Sequence, residues 1–191
     1  MRKRLFKNLV NSPVTEPAPL AVLEGLESTG TAVRGAIART LGRSLAIREV
    51  DAGSCNGCEL EIHALNSSFY DIERFGVRFV ASPRHADVLL VTGPVTRNMR
   101  EAVERTFNAV PAPKWVVAVG DCAAGCGAFE SSYACVGAVT KVVPIDLLIR
   151  GCPPTPLDLL RGLLWLMESP WPAGGDASKP SRPAVLPDGG Q

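Results

Sequence analysis

At 191 residues with 46% hydrophobic residues, the chain has the length of one domain and enough apolar side chains for a sizeable core. A formal net charge of +1 gives no electrostatic footprint for nucleic acid, so no nucleic-acid partner is expected. Six cysteines are too sparse for a disulfide scaffold, and their uneven placement in loops beside Gly and Pro suits metal binding in a reducing compartment.

The chain starts with basic residues at Arg2, Lys3 and Arg4, but Lys7, Asn8 and Asn11 interrupt the apolar run that a secretory signal needs. Leu5, Phe6, Leu9 and Val10 make residues 1–19 weakly amphipathic, and Pro13, Pro17 and Pro19 stop any helix. Such a piece is either a frayed terminus or an arm that docks on a partner or a membrane surface. Residues 20–41 read as mostly helical, weakened by Gly25, Gly30 and Gly35. The expected organisation is an arm and docking helix over 1–42, a domain over 43–168, and a disordered Pro/Gly-rich tail over 169–191.

Leu45 to Val50 predicts the first strand of the domain, followed by a cysteine loop. A helix follows, with Cys58, Ile62, Leu65 and Phe69 at spacings of four, three and four. Strands are expected at 77–80, 86–92, 114–119 and 145–149, those at 86–92 and 114–119 with continuous apolar runs that fit burial on both faces. A helix at about 97–109 turns Met99, Val103, Phe107 and Val110 to one side. The last helix opens near Pro156 with Leu157, Leu160, Leu164 and Met167 inward. Its apolar run, 157–167, is too short for a membrane span and carries Asp158 and Arg161. Strands alternating with helices predict an α/β domain with an open, mainly parallel sheet.

In such a sheet the carboxyl ends of the strands share one edge, where ligands bind. Cys55 and Cys58 follow the first strand, Cys122 the fourth and Cys152 the fifth. Four thiolates meeting there are what one 4Fe–4S cluster needs, one per iron. The Cys152-Pro153 step recurs in ferredoxin-type ligation, and Cys58 at a helix start gains from the positive dipole end. Gly57, Gly120 and Gly151 are expected to bring backbone N–H groups close to the cluster. Two alternatives stay open. A structural zinc ion could use the same thiols, although zinc modules usually supply two close pairs. A redox-active C-x-x-C pair would leave Cys122 and Cys152 without a role. Cys126 competes with Cys122 for one ligand position, and Cys135 reads as a small buried hydrophobe. Glu59 is either a first-turn acid that favours the helix dipole or a general acid and base beside the site. Arg84 and His85 follow a strand and are candidates for the cluster edge or an interface, with a surface role favoured for His85; His63 is read as structural.

Several motifs in order resemble a known family. They are Gly53 to Glu59, Tyr70 to Gly76, Ala81 to Asp87, Thr92 to Met99, Gly120 to Ala123 and Gly151 to Pro156. Over residues 44–168 the chain resembles the small subunit of NiFe hydrogenases and its relative, the cluster-bearing 20 kDa subunit of respiratory complex I. The C-x-x-C spacing is hydrogenase-like, and no cysteine follows Cys152. This pattern resembles the small subunit of membrane-bound, complex I-like hydrogenases of the formate hydrogenlyase type. The resemblance implies a flavodoxin-like fold, one proximal 4Fe–4S cluster and electron transfer to or from a large-subunit NiFe site. It also implies a large hydrogenase-like or complex I 49 kDa-like partner, a ferredoxin-like subunit and membrane subunits, on the cytoplasmic face of the cell membrane. The alternative within the family is a complex I-type subunit passing electrons to quinone, with Thr92–Met99 facing a quinone-like pocket. In the resembled hydrogenases, the glutamate matching Glu59 is a proton-relay candidate. The alternative outside the family is a zinc-stabilised interaction protein without redox activity.

Overall fold

The computed structural model describes residues 20–125, 127–129, 132–169 and 184–186. The basic N-terminal piece, Cys126 and the rest of the tail lie outside them. The elements in order are α1 (Leu20–Thr40), β1 (Leu45–Asp51), α2 (Gly57–Leu65), β2 (Val77–Phe79), β3 (Val88–Thr92), β4 (Val95–Thr96), α3 (Arg97–Ala109), β5 (Trp115–Val119), α4 (Asp121–Gly125), β6 (Cys135–Gly137), β7 (Leu147–Ile149), α5 (Pro156–Glu168) and β8 (Ala184–Leu186).

Six strands form one sheet in the order β2-β1-β3-β5-β7-β8, and every neighbouring pair is parallel. Counting only the first five of these strands in chain order, the arrangement is 2-1-3-4-5, the flavodoxin-like order expected. Its switch point lies between β1 and β3, so the loop after β1 opens into the crevice where such sheets bind ligands.

Alternating residues of the strands supply two cores. Leu45, Ile47, Leu90, Val117, Val119, Leu147 and Ile149 face α1, α2 and α5. Val50, Leu89, Val91, Val116, Ala118 and Leu148 face α3 and α4. Burial on both faces is why β3 and β5 are continuous apolar runs. Each fully buried Leu or Val contributes roughly 1.5–3 kcal/mol.

Three expectations differ from the structure. First, α1 packs on the domain: Leu26, Val33, Ala36 and Ile37 are buried in the same core as β1. Gly30, one of the glycines that weakened the helical reading, leaves the space that the Phe75 ring fills, and Arg74 pairs with Glu27 at 2.7 Å. Second, α5 buries Leu159, Leu160, Leu163, Leu166 and Met167, while Leu157 and Leu164 are only half-buried. The run is apolar nearly all round, and α5 lies between the sheet and α1, so the inward stripe is wider than the four residues assigned. Third, Ala184–Leu186 form a strand inside the stretch expected to lack packed structure.

Candidate metal centre

The site begins with the loop between β1 and α2. Asp51, the last residue of β1, turns its carboxylate back: Oδ1 accepts from the N–H groups of Gly53 and Ser54, both at 2.7 Å. Ser54 Oγ then accepts from Asn56 N–H at 3.0 Å. Asn56 has φ 70°, a left-handed conformation that asparagine tolerates, and the chain enters α2 at Gly57. On the far side, Thr96 donates from both N–H (2.8 Å) and Oγ1 (3.2 Å) to the Ala52 carbonyl. Gly93, φ 70°, lies so close to Ser54 that an added Cβ would come within 2.6 Å of it. Cys55 and Cys58 are therefore presented by a loop fixed from two sides.

The other two thiols come from the ends of β5 and β7. Gly120 N–H donates to the Ile149 carbonyl and Asp121 N–H to the Gly151 carbonyl, both at 2.9 Å. Asp121 Oδ1 accepts from Gly151 N–H at 3.2 Å and pairs with Arg150 Nε at 2.7 Å. This lock ties the residue before Cys122 to the residue before Cys152. Beyond Cys152, Thr155 starts α5 through a capping box: its Oγ1 accepts from Asp158 N–H, and Asp158 Oδ2 accepts from Thr155 N–H, both at 3.2 Å. The Cys152–Pro153 peptide is cis.

Cys55, Cys122 and Cys152 each fall within electrostatic reach of Cys58. Burial first, then the negative charges of Glu59, Cys55, Cys122 and Cys152, push the Cys58 thiol up to about 12. The helix dipole was expected to favour its thiolate. A dipole end is worth roughly 0.3–1 kcal/mol, less than one pH unit, and here burial and like charges exceed it. Cys55 and Cys152 are exposed; Cys58 and Cys122 are half-buried. Gly120, φ +89°, makes room for Cys58: an added Cβ would stand 2.6 Å from its Sγ. At Gly57 the same Cβ would lie 3.5 Å from Cys55 Sγ, and at Gly127 3.1 Å from Cys122 Sγ. The N–H groups of Gly120 and Gly151 are spent inside the protein, so these glycines act by space and backbone shape and do not aim N–H groups at a ligand.

Among the described residues, no three His, Cys, Asp or Glu side chains close around a point that could hold one metal ion. Glu59 is in the first turn of α2, only 6% exposed, and both carboxylate oxygens are buried without a hydrogen-bond partner among the described residues. Glu49, on β1, has its carboxyl pushed up by burial first and then by the charge of Glu59. Arg84 and His85 are exposed on the turn Pro83–His85, which packs beside α3 and is none of the three strand-end loops that carry the thiols. His63 is exposed on α2.

In the stretch read as facing a quinone-like pocket, Thr92 and Val95 are fully buried and Thr96 is engaged with Ala52. A cavity of about 200 Å³ lies instead between α4 and β6, lined by Cys135, Gly137 and Lys141 among others. Cys135 is half-buried there, more open than the buried hydrophobe expected. Cys126 lies outside the described residues, so its competition with Cys122 stands as it was. Sequence reasoning missed Asp51, Thr96 and Asp121, which position the thiols. Their signal was present: an Asp two residues before a Gly, and an Asp directly after one, are side chains suited to accepting local backbone N–H groups.

Residues 55–166 match the family described as NADH ubiquinone oxidoreductase, 20 kDa subunit. The chain belongs to this family. The 20 kDa-type chain is 40% identical over 173 residues to formate hydrogenlyase subunit 7 of Escherichia coli (strain K12), covering 89% of itself and 66% of that protein. It is 43% identical over 132 residues to the probable membrane-bound hydrogenase subunit mbhJ of Pyrococcus furiosus, covering 69% of itself and 79% of that protein. Among solved structures, it superposes on a chain of the membrane-bound sulfane sulfur reductase, an archaeal respiratory membrane complex, with a TM-score of 0.60 and 34% identity over 71% of itself and 74% of that chain. A chain of the NAD+-reducing NiFe hydrogenase shares the fold, with a TM-score of 0.51 and 22% identity over 69% of this chain and 97% of that one. The motif-based resemblance is thus borne out, and the named relatives are parts of hydrogenase-like and complex I-like oxidoreductases. Among the described residues of this 20 kDa-type chain, no helix is long and apolar enough to cross a membrane.

Proposed function

We propose that the chain is an electron-transfer subunit carrying one 4Fe–4S cluster on Cys55, Cys58, Cys122 and Cys152, within a membrane-associated, hydrogenase-like oxidoreductase complex. The observation that carries this reading is placement: Cys55 and Cys58 follow β1, Cys122 follows β5 and Cys152 follows β7, all at one edge of a parallel sheet, with the last two loops tied by the Asp121–Gly151 bonds. The donor set fits the group. Burial first, and then the neighbouring negative charges, disfavour the Cys58 thiolate, and positively charged iron would offset both. Zinc modules usually bring their ligands as two close pairs, and of these four cysteines only Cys55 and Cys58 form one, whereas a cubane takes one thiolate per iron.

When bound, the cluster supplies one-electron exchange with a neighbouring redox centre. This chain's residues supply position and access. Asp51 and Asp121 hold the ligand loops, and Gly120 gives Cys58 its place. Exposed Cys55 and Cys152, with Leu60 63% exposed beside Cys58, leave the rim open toward a large NiFe-hydrogenase-like or complex I 49 kDa-like subunit. A ferredoxin-like subunit and membrane subunits complete the assembly, which places the chain peripherally on the cytoplasmic face of the membrane. Glu59, next to a ligand with both oxygens unengaged among the described residues, is the residue suited to pass protons at that interface.

The test is reductive titration of the anaerobically purified chain with dithionite. Broad visible absorption that bleaches on reduction is expected; stoichiometric zinc with an unchanging spectrum would dismiss the reading. The large subunit separates hydrogenase from quinone reductase. Two C-x-x-C motifs in a co-purifying large subunit indicate hydrogenase, and their absence indicates a quinone reductase or a hydrogenase-derived module.

A further inference from the structure

The far edge of the sheet is independent of the thiol rim. β7 is a core strand: Leu147, Leu148 and Ile149 are all buried. Five strands would suffice for the flavodoxin-like order, and β7 would then be an exposed edge with unpaired backbone groups, a template for another chain. A three-residue strand from the tail covers it instead. Ala184, Val185 and Leu186 pair in parallel with Leu147, Leu148 and Ile149, and Ala184 N–H donates to the Asp146 carbonyl at 3.2 Å. Ala184 and Leu186 pack against the core that contains α1 and α5, while Val185 is 55% exposed.

The attachment is slight by comparison with the strand it covers. Fourteen residues (170–183) separate Ser169, at the end of α5, from Ala184. Such a length reaches up to about 50 Å when extended. α5 lies antiparallel to the strands, as the crossover requires, so its last residue is already at the edge where β8 begins. Three residues hold the strand to β7, with Ala184 and Leu186 only half-buried and Val185 exposed, which is little buried contact for an element that must stay closed.

We propose that the outer edge of β7 is a strand-receiving site, filled in cis by Ala184–Leu186, and that this tail strand opens and closes independently of the rest of the fold. The site takes a short extended segment running parallel to β7, with a small residue, an outward residue and an apolar residue in turn. Closed, the tail blocks edge-to-edge pairing between copies of the chain. Open, it exposes β7 to a strand supplied in trans.

The test uses full-length chain and two proline variants. Ala184→Pro removes the N–H that bonds Asp146. In a parallel ladder the N–H of the next residue points away from the partner strand, so Val185→Pro removes no bond to β7. Ala184→Pro is expected to raise amide exchange across 146–149 by about tenfold or more, leave β3 protected, and produce concentration-dependent self-association in light scattering. A synthetic peptide of residues 181–188 should restore protection and monomer mass. Val185→Pro should behave as the parent chain. Unchanged exchange and mass in Ala184→Pro, equal effects in both variants, or loss of protection throughout the sheet would each overturn the proposal.

Discussion

Replacing Gly120 with Ala perturbs the candidate centre at one atom. The new Cβ would stand 2.6 Å from Cys58 Sγ, where ordinary van der Waals contact begins at 3.4 Å. The backbone at φ +89° adds a left-handed cost of roughly 1–2 kcal/mol for any residue with a Cβ. Overpacking adds about 1–3 kcal/mol, for a total of about 2–5 kcal/mol. The metal-free protein relieves the overlap by moving the half-buried Cys58 side chain, so its stability should fall by little more than the backbone share. The cluster cannot accept that movement, because the sulfur is held by iron. Iron retained after anaerobic purification should therefore drop about tenfold or more, at 1.4 kcal/mol per factor of ten, while urea denaturation of the metal-free chain shows a loss of about 1–2 kcal/mol. Gly57→Ala is the matched control. Its Cβ would lie 3.5 Å from Cys55 Sγ, its φ is not in the left-handed region, and iron content should not change. Full iron in Gly120→Ala, or equal loss in Gly57→Ala, would refute the assignment of Gly120 as the space for a cluster-bound Cys58.

Other consequences follow from the same geometry. Asp51→Ala removes the acceptor of two 2.7 Å bonds in an exposed loop; it should cost about 1–2 kcal/mol and speed amide exchange at Gly53 and Ser54, while unchanged exchange would show the loop is held otherwise. In the metal-free protein near about pH 8, Cys58 should alkylate more slowly than the exposed Cys55, because its thiolate fraction is about a thousandfold below that of a thiol at the ordinary value. Mass spectrometry after iodoacetamide treatment reads this directly, and equal labelling would contradict it. The same raised value makes the metal-free fold lose stability as pH rises from about 9 toward about 12, since the unfolded chain gives up the proton first. Leu163→Ala, in the core between α5 and the sheet, should cost about 2–5 kcal/mol in denaturant midpoint analysis and leave the iron-to-folded-protein ratio unchanged.

The sheet was legible because burial on both faces leaves a mark in sequence: β3 and β5 are uninterrupted apolar runs, and α3 carries a clear one-sided pattern. The meeting of four distant cysteines was legible for a topological reason, since parallel strands end on one edge. Other features left no periodic mark. β4 and β6 have two and three residues, too short for alternation to show. β8 is three residues within a Pro/Gly-rich stretch, and its pairing comes from the unfilled edge of β7 more than from its own composition. The inward face of α5 was misassigned because nearly every residue around it is apolar. α1 was read as a helix weakened by its glycines, when Gly30 is where Phe75 packs. Asp51 and Asp121 act through local side-chain-to-backbone bonds, whose mark is a single Asp beside a glycine and not a periodic pattern.

Serine replacement of each cysteine, with iron and acid-labile sulfide counted in the anaerobically purified chain, tests the central claim most directly. About four irons per parent chain are expected. Serine at Cys55, Cys58, Cys122 or Cys152 should each lower that count, and serine at Cys135 should not. A Cys152→Ser chain that keeps its full iron, or a parent chain holding stoichiometric zinc and no iron, would contradict a cubane at the strand ends.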